Sequence, residues 1–268
     1  MKKTELSSRS NREPLYGVNP VLEALRGNRK VEEIVVAEGA HQDRLREVID
    51  LARAQNIPVS RAPRAALDRT ARSAHHQGVV ARVSAARYAD ADELLESVAA
   101  RVGSRTEALV VVLDGVEDPR NLGAILRTAE CAGVHGVFMG ERRAVGLTET
   151  VAKASAGAVE YVPVARVTNL ARLIERLKER NVWVVGTAAD APLAYTEWDW
   201  ARSSAVVLGG EASGLHRLVR ERCDALVRIP VNGKIESLNV SVAAGVILFE
   251  AVRQRAAAKS PMNTMKRR

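Results

Sequence analysis

Apolar residues in this chain follow two rhythms. From residue 108 onward short Val-rich runs recur: ALVVVL (108–113), VHGVFM (134–139), EYVPV (160–164), VWVVG (182–186), SAVVL (204–208) and ALVRIP (225–230). Each is nearly continuous in apolar residues, as expected of strands buried on both faces. Between them the rhythm turns helical: in TNLARLIERLKERN (168–181), Leu170, Leu173, Ile174 and Leu177 share one face. The alternation predicts an α/β domain over 108–255 with a mostly parallel sheet covered by helices on both sides. Upstream, YGVNPVLEALRG (16–27) reads as a turn and a short helix. VEEIVVAEG (31–39), IPVSR (57–61) and GVVARVSA (78–85) read as strands, and HQDRLREVIDLARAQN (41–56) as a helix, so 14–85 is predicted to be a small α/β domain. Residues 86–107, rich in Ala, Asp and Glu, read as a linker carrying one helix, whose plain alternative is a helix packed on a neighbour. Residues 1–13 and 256–268 read as polar tails, the second of them basic.

Composition narrows the function classes. The chain has 268 residues and only 3% aromatic residues, so its cores must be aliphatic. Two distant cysteines, Cys131 and Cys223, suit a reducing compartment and exclude a disulfide scaffold or a cysteine-based zinc site. No run approaches the roughly 20 apolar residues of a membrane span, and the N-terminus lacks the apolar core of a secretory signal, so a cytoplasmic location is expected. The five histidines show no zinc-like spacing and no metal is expected; His75 and His76 are assigned to a turn or to a nucleic-acid-facing surface of the small domain.

Charge is unevenly spread. The net charge is +8, yet residues 15–252 hold 30 basic and 30 acidic residues. Within that body, 15–88 carries 12 basic against 8 acidic residues, and 89–252 carries 18 against 22. The sharpest stretch is 61–88, where Arg61, Arg64, Arg69, Arg72, Arg82 and Arg87 face the single acid Asp68. Such a surface suits an anionic polymer held through its phosphates. Charge alone leaves that reading level with a solvated face.

Three segments carry candidate chemistry. In LDGVEDPRNLGAILRTAECAGV, Asp118-Pro119 is a good helix start. Asn121 and Arg127 follow, with Arg127 expected to be partly shielded among apolar neighbours or to snorkel to water. In AVVLGGEASGL (205–215), glycines at the end of a parallel strand allow a ligand to approach the backbone, and Glu211 sits among them. The G-x-G-x-x-G spacing is absent, which argues against a conventional dinucleotide site. In IPVNGKIESLNVSVA (229–243), Ser237 and Asn239 stand at the mouth of an apolar final helix. Capping that helix accounts for Ser237 but leaves Asn239 without a purpose.

Taken together and in order, NLGAILRTA, GGEASGL and IPVNGKIESLNVSVA resemble the three motifs of the SpoU, or TrmH-type, RNA 2′-O-ribose methyltransferases of the SPOUT superfamily. YGVNPVLEAL and HQGVVARV resemble that family's N-terminal substrate-binding domain, of ribosomal-protein-L30-like fold. With VTNLARLIERL, the front third is most similar to members that methylate a guanosine of 23S ribosomal RNA. The resemblance implies a trefoil-knotted methyltransferase domain, a homodimer whose active site lies at or near the interface, and S-adenosylmethionine bound by backbone around the knot. It assigns Gly209, Ile229 and Leu238, with Gly186, Thr187, Leu208 and Gly214, to the cofactor. It assigns Arg127 to the reacting hydroxyl, with Asn121, Glu211, Ser237 and Asn239 around it. Arg61, Arg64, Arg69, Arg72 and Arg82 become the expected RNA contacts. Three other readings stay open: a transfer-RNA methyltransferase of the same family, an antibiotic-resistance relative that methylates ribosomal RNA, which the front third disfavours, and an RNA-binding assembly factor without catalysis.

Overall fold

In the computed structural model, residues 14–27, 29–40, 42–84, 86–211, 214–235 and 237–259 are described, and the chain divides into two units after residue 85. The expected N-terminal tail, His41, Ala212, Ser213, Glu236 and residues 260–268 lie outside the described residues.

The first unit holds strand β1 (Leu15–Tyr16), helix α1 (Val18–Arg26), β2 (Val31–Ala37), α2 (Gln42–Ala54), β3 (Val59–Ala62), α3 (Arg64–Ala71) and β4 (Val79–Val83). The sheet order is β1-β4-β2-β3, with β2 parallel to β3 and antiparallel to β4. Helix α3 was hidden from the sequence by its arginines: it buries only Leu67 and Ala71. Arg61, Arg64, Arg69, Arg72 and Arg82 are all exposed. Asp68 is engaged elsewhere, because its Oδ1 lies 3.0 Å from Nε2 of His76. Gly78 N–H donates to Nδ1 of the same ring at 3.0 Å, so Nε2 carries the proton and Asp68 accepts it. His76 is fully buried and pins α3 to β4; it is not a surface ligand.

The second unit contains α4 (Ala91–Ala99), β5 (Leu109–Asp114), α5 (Pro119–Cys131), β6 (Gly136–Gly140), α6 (Glu149–Ala154), β7 (Val164–Val167), α7 (Leu170–Lys178), β8 (Trp183–Thr187), β9 (Leu193–Ala194), β10 (Ser204–Gly209), α8 (Arg217–Arg222), β11 (Ala225–Arg228) and α9 (Val240–Lys259). Its sheet runs β7-β6-β5-β10-β8-β11-β9 with every pairing parallel. Alternation along the central strands builds two cores. Leu109, Val111, Leu113, Val206 and Leu208 pack with α5, α6 and α9. Val110, Val112, Ala205 and Val207 pack with α4, α7 and α8. Residues 86–107, read as a linker, therefore belong to this unit: Leu94, Leu95 and Val98 of α4 are buried in the second core. EYVPV differs from its reading as a strand, since a 3-10 turn occupies Ala158–Glu160 and β7 starts only after Pro163, which has no N–H to pair.

Helix α9 runs four residues into the expected basic tail, and two of the C-terminal arginines serve the fold. Arg255 donates to the carbonyls of Trp200, Glu107, Ala108 and Arg202, and Arg253 pairs with Glu250. Nearby, the Nδ1 of His135 accepts from Leu109 N–H at 3.0 Å. Burial, with the charges of Arg101 and Arg255, pushes this imidazole down to about 4.

The tightest approach in the unit joins the ends of β5 and β10. A Cβ added to Gly210 would lie 2.2 Å from the carbonyl oxygen of Gly115, and one on Gly209 would lie 2.2 Å from the backbone of Gly214. Gly210 N–H donates to Asp114 O at 2.8 Å, and Gly214 N–H to Gly210 O at 3.0 Å. These glycines thus answer first to backbone packing against backbone, where the sequence suggested room for a ligand.

Two outcomes follow. Gly210→Ala should lower unfolding free energy by about 1–3 kcal/mol, the usual range for overpacking, read by urea titration. For His135, the unfolded ring titrates near its ordinary value of about 6.5 and the folded ring only at about 4. Stability from the neutral ring is therefore whole above the first value and lost as pH falls toward the second. His135→Gln should flatten the fall in urea midpoint across that window.

Candidate functional site

Parallel strands deliver their following loops to one edge of the sheet, and ligand sites in open α/β sheets form there. At this edge lie two clefts of about 250 and 400 Å³. Gly210, Glu211 and Val240 line both and form the wall between them.

The smaller cleft is lined by Thr187, Leu208, Gly209, Gly214, Ile229 and Leu238 among others, with Ser237 at its mouth side of α9. Six of the seven residues assigned to the cofactor thus converge. Gly186 does not reach the cleft: it sits within β8, where an added Cβ would meet Leu215, Leu226 and Cys223 at 2.8–2.9 Å. Burial, together with Asp224, pushes the neighbouring Cys223 thiol up to about 12, which leaves it no nucleophile. Leu208, Val227, Ile229, Leu238 and Val240 give the cleft apolar walls suited to a flat heterocycle. Glu211 adds a carboxylate suited to a cation. The residues present therefore fit an adenosyl sulfonium compound.

The shared wall carries a polar set. Asn121, at the third position of α5, is buried, and its Nδ2 donates to Glu211 Oε1. Asn239 Nδ2 donates to Asn121 Oδ1 at 3.0 Å and to Glu211 Oε1 at 3.3 Å. Asn239 Oδ1 accepts from Ser241 N–H at 2.9 Å and from Ser241 Oγ at 2.6 Å. Asn239 is therefore the residue that caps α9, a role the sequence gave to Ser237. Ser237 is exposed and free to face the smaller cleft. Asp118 caps α5 as expected, accepting from Arg120 N–H at 2.7 Å ahead of Pro119.

Arg127 takes the second of its two expected placements. It is exposed on α5 and lines neither cleft, so apolar neighbours do not shield it. Asn121, Glu211 and Asn239 come together; Arg127 stands apart from them in its own chain.

Sequence reasoning passed over a second polar set. Asp114, at the end of β5, is buried and accepts from His216 N–H at 2.7 Å and from His216 Nδ1 at 2.8 Å. His216 Nε2 lies 3.2 Å from Nη1 of Arg143. His216 and Arg143 line the larger cleft with Glu117, Asp118, Asn121 and Glu211. The available signal was an acid ending an otherwise apolar buried strand. Among the described residues, no group of three or more His, Cys, Asp or Glu is arranged to hold a metal ion.

Comparison with known proteins bears on this geometry. A family model described as the SpoU rRNA Methylase family matches residues 108–249, and one described as RNA 2′-O ribose methyltransferase substrate binding matches 14–89. A Bacillus subtilis protein named as a TrmH family tRNA/rRNA methyltransferase, YacO, is 46% identical over 241 residues, covering 90% of this chain and 95% of its own. The SpoU methyltransferase AviRb from Streptomyces viridochromogenes, solved with S-adenosylmethionine, superposes with a TM-score of 0.75 at 25% identity, over 91% of this chain and 90% of that one. An S-adenosylmethionine-bound ribosomal RNA methyltransferase from Sinorhizobium meliloti gives 0.73 at 27% identity, over 90% and 86%. With both units matched in order and relatives of this similarity spanning nearly its whole length, the chain belongs to the SpoU, or TrmH-type, family of RNA 2′-O-ribose methyltransferases, which use S-adenosylmethionine.

Proposed function

We propose that this protein methylates the 2′-oxygen of a guanosine ribose in 23S ribosomal RNA, in the manner of RlmB, in the cytoplasm. The observation that carries the reading is the wall shared by the two clefts, where Asn121, Glu211 and Asn239 are locked together by hydrogen bonds. The smaller cleft takes S-adenosylmethionine and the larger takes the ribose. S-adenosylmethionine, when bound, supplies a methyl group on a cationic sulfur. The backbone at Leu208, Gly209, Gly214, Ile229 and Leu238, with Thr187, holds the adenosyl end. Glu211 stands where one carboxylate serves both clefts, opposing the sulfonium charge and accepting from the ribose. Asn121 and Asn239 fix Glu211, and Ser237 orients the ribose. In-line displacement needs its two reactants held in register, and a wall rigid on both sides provides that. The path of the chain around the cofactor is the trefoil knot implied by the motifs.

Arg127 belongs to the reading as the group that orients the hydroxyl and stabilises the developing alkoxide. A guanidinium stays protonated and does not serve as a base. Because Arg127 lines neither cleft of its own chain, we assign it to the partner's cleft in a homodimer. Exposed apolar residues on α9 support that assembly: Val242 and Phe249 are 51% and 50% exposed. They are spaced to fall on one helical face. RNA docking falls to Arg61, Arg64, Arg69, Arg72 and Arg82 of the small unit. No described helix is long and apolar enough to cross a membrane.

Mapping 2′-O-methylation with and without the gene tests the reading directly. One guanosine of 23S ribosomal RNA should lose its methyl group; loss at a transfer-RNA position instead moves the substrate to transfer RNA, and no loss anywhere leaves an RNA-binding assembly factor. Arg127→Ala should cut methyl transfer at least about 100-fold, with S-adenosylmethionine affinity changed less than about threefold. Phe249→Asp should convert dimer to monomer in sedimentation and lose transfer with it. Replacing Arg64, Arg69 and Arg72 by Gln should raise the RNA Michaelis constant and flatten its salt dependence.

A further inference from the structure

Removing the proton of a ribose hydroxyl calls for a base, and of Asn121, Arg127, Glu211, Ser237 and Asn239 only the shared Glu211 is one. The larger cleft contains another. An arginine side chain only donates hydrogen bonds, so the 3.2 Å contact from Arg143 Nη1 makes His216 Nε2 the acceptor. The proton of the neutral ring is then on Nδ1, 2.8 Å from Asp114 Oδ1. Asp114 is buried, and its second oxygen is held at 2.7 Å by the backbone N–H of His216 itself, so the carboxylate cannot turn away. A fixed carboxylate on Nδ1 and a lone pair on Nε2 aimed at a cleft is the arrangement by which an imidazole is made ready to take a proton. Arg143 holds that lone pair from a left-handed backbone conformation, φ 52°, which non-glycine residues rarely adopt.

We propose that His216 is the general base of methyl transfer, with Asp114 as its positioning residue. The proposal rests on the reading that the larger cleft receives the ribose. The 2′-hydroxyl displaces Arg143 from Nε2. Its oxygen forms the new bond to the methyl carbon, the carbon–sulfur pair stays on sulfur, and the hydroxyl proton passes to Nε2. The imidazolium, balanced by Asp114, afterwards releases that proton to water. Arg143, freed from the ring, pairs with the phosphate that adjoins the hydroxyl in any RNA chain. The charged or titratable groups that share the cleft with the ring are Asp114 at the end of β5, Glu117 and Asp118 from the loop after β5, Arg143 from the loop after β6, and Glu211 from the loop after β10.

The test is single-turnover transfer of labelled methyl from S-adenosylmethionine to a 23S ribosomal RNA transcript, with a bulk transfer-RNA transcript in parallel. It is run from about pH 5.5 to about pH 8.5, the interval over which histidine changes charge. The wild-type rate should fall with unit slope on the acid side. His216→Asn should lower the rate about 10²–10⁴-fold and abolish that slope, with affinities for S-adenosylmethionine and RNA within about threefold. Asp114→Asn should move the acid limb to lower pH, a change that a purely structural contact would not produce. A flat wild-type profile overturns the proposal and needs no variant, so a misfolded variant does not shelter it. A His216→Asn protein within about threefold of wild type, or one that keeps the acid limb, overturns it equally. Transfer by wild type to neither transcript overturns the functional reading, and this proposal falls with it.

Discussion

The site depends on how closely two backbones approach at the carboxyl ends of β5 and β10. These strands are adjacent and parallel, in a register that sets Gly209 beside Asp114. One residue further on, Gly210 meets the carbonyl of Gly115 with no room for a Cβ. The two loops therefore leave the sheet in contact. Glu211 follows Gly210 directly, so its carboxylate is delivered beside the loop that starts α5. Asn121 stands at the first turn of that helix, within reach of it. From the same junction, Asp114 turns its carboxylate toward His216. Both polar sets thus hang on one packing constraint, and both reach the larger cleft.

Asn239 completes the wall while ending a helix. Its Oδ1 is taken by the N–H and hydroxyl of Ser241, and its Nδ2 by Asn121 and Glu211. An N-cap is worth about 1 kcal/mol to a helix, so the side chain that stabilises α9 also holds Asn121 and Glu211. All parts of the amide are occupied before any ligand arrives. A network satisfied in this way does not need to reorganise on binding, and fixed dipoles of that kind are the ones that favour a transition state.

Legibility from sequence followed the range of the interactions. Val-rich runs and the Leu170–Leu177 face are local signals, and the strands and α7 formed where these pointed. Asp118-Pro119 capped α5 for the same reason. Helix α3 buries only two side chains and was masked by its charge. EYVPV was given to a strand by composition, whereas the proline sets where pairing begins. Asn121, Glu211 and Asn239 were marked by motif resemblance, but their mutual hydrogen bonds span 28, 90 and 118 residues and needed the fold. Asp114 and His216, 102 residues apart, had no motif to mark them. The capping role went to the wrong residue because Ser237 and Asn239 are equally good caps, and only the start of α9 decides between them.

The charge of the larger cleft bears on where RNA affinity must come from. Glu117, Asp118 and Glu211 line it against the single cation Arg143, beside an imidazole that is neutral while it accepts from that arginine. A polyanion gains little there and is in part repelled. A ribose, which is uncharged, can enter where its phosphates are not welcome, and one arginine suffices to steer the nearest of them. Net attraction for the polymer then has to reside elsewhere. In the proposed reading the small unit supplies it: Arg61, Arg64, Arg69 and Arg72 are exposed, the acid among them, Asp68, is engaged with a buried histidine, and Arg82 pairs with Glu33. Separating attraction from chemistry in this way lets the cleft keep the carboxylates that the proposed transfer uses. Under the two proposals affinity depends on salt and turnover on pH, two responses that arise in different parts of the chain.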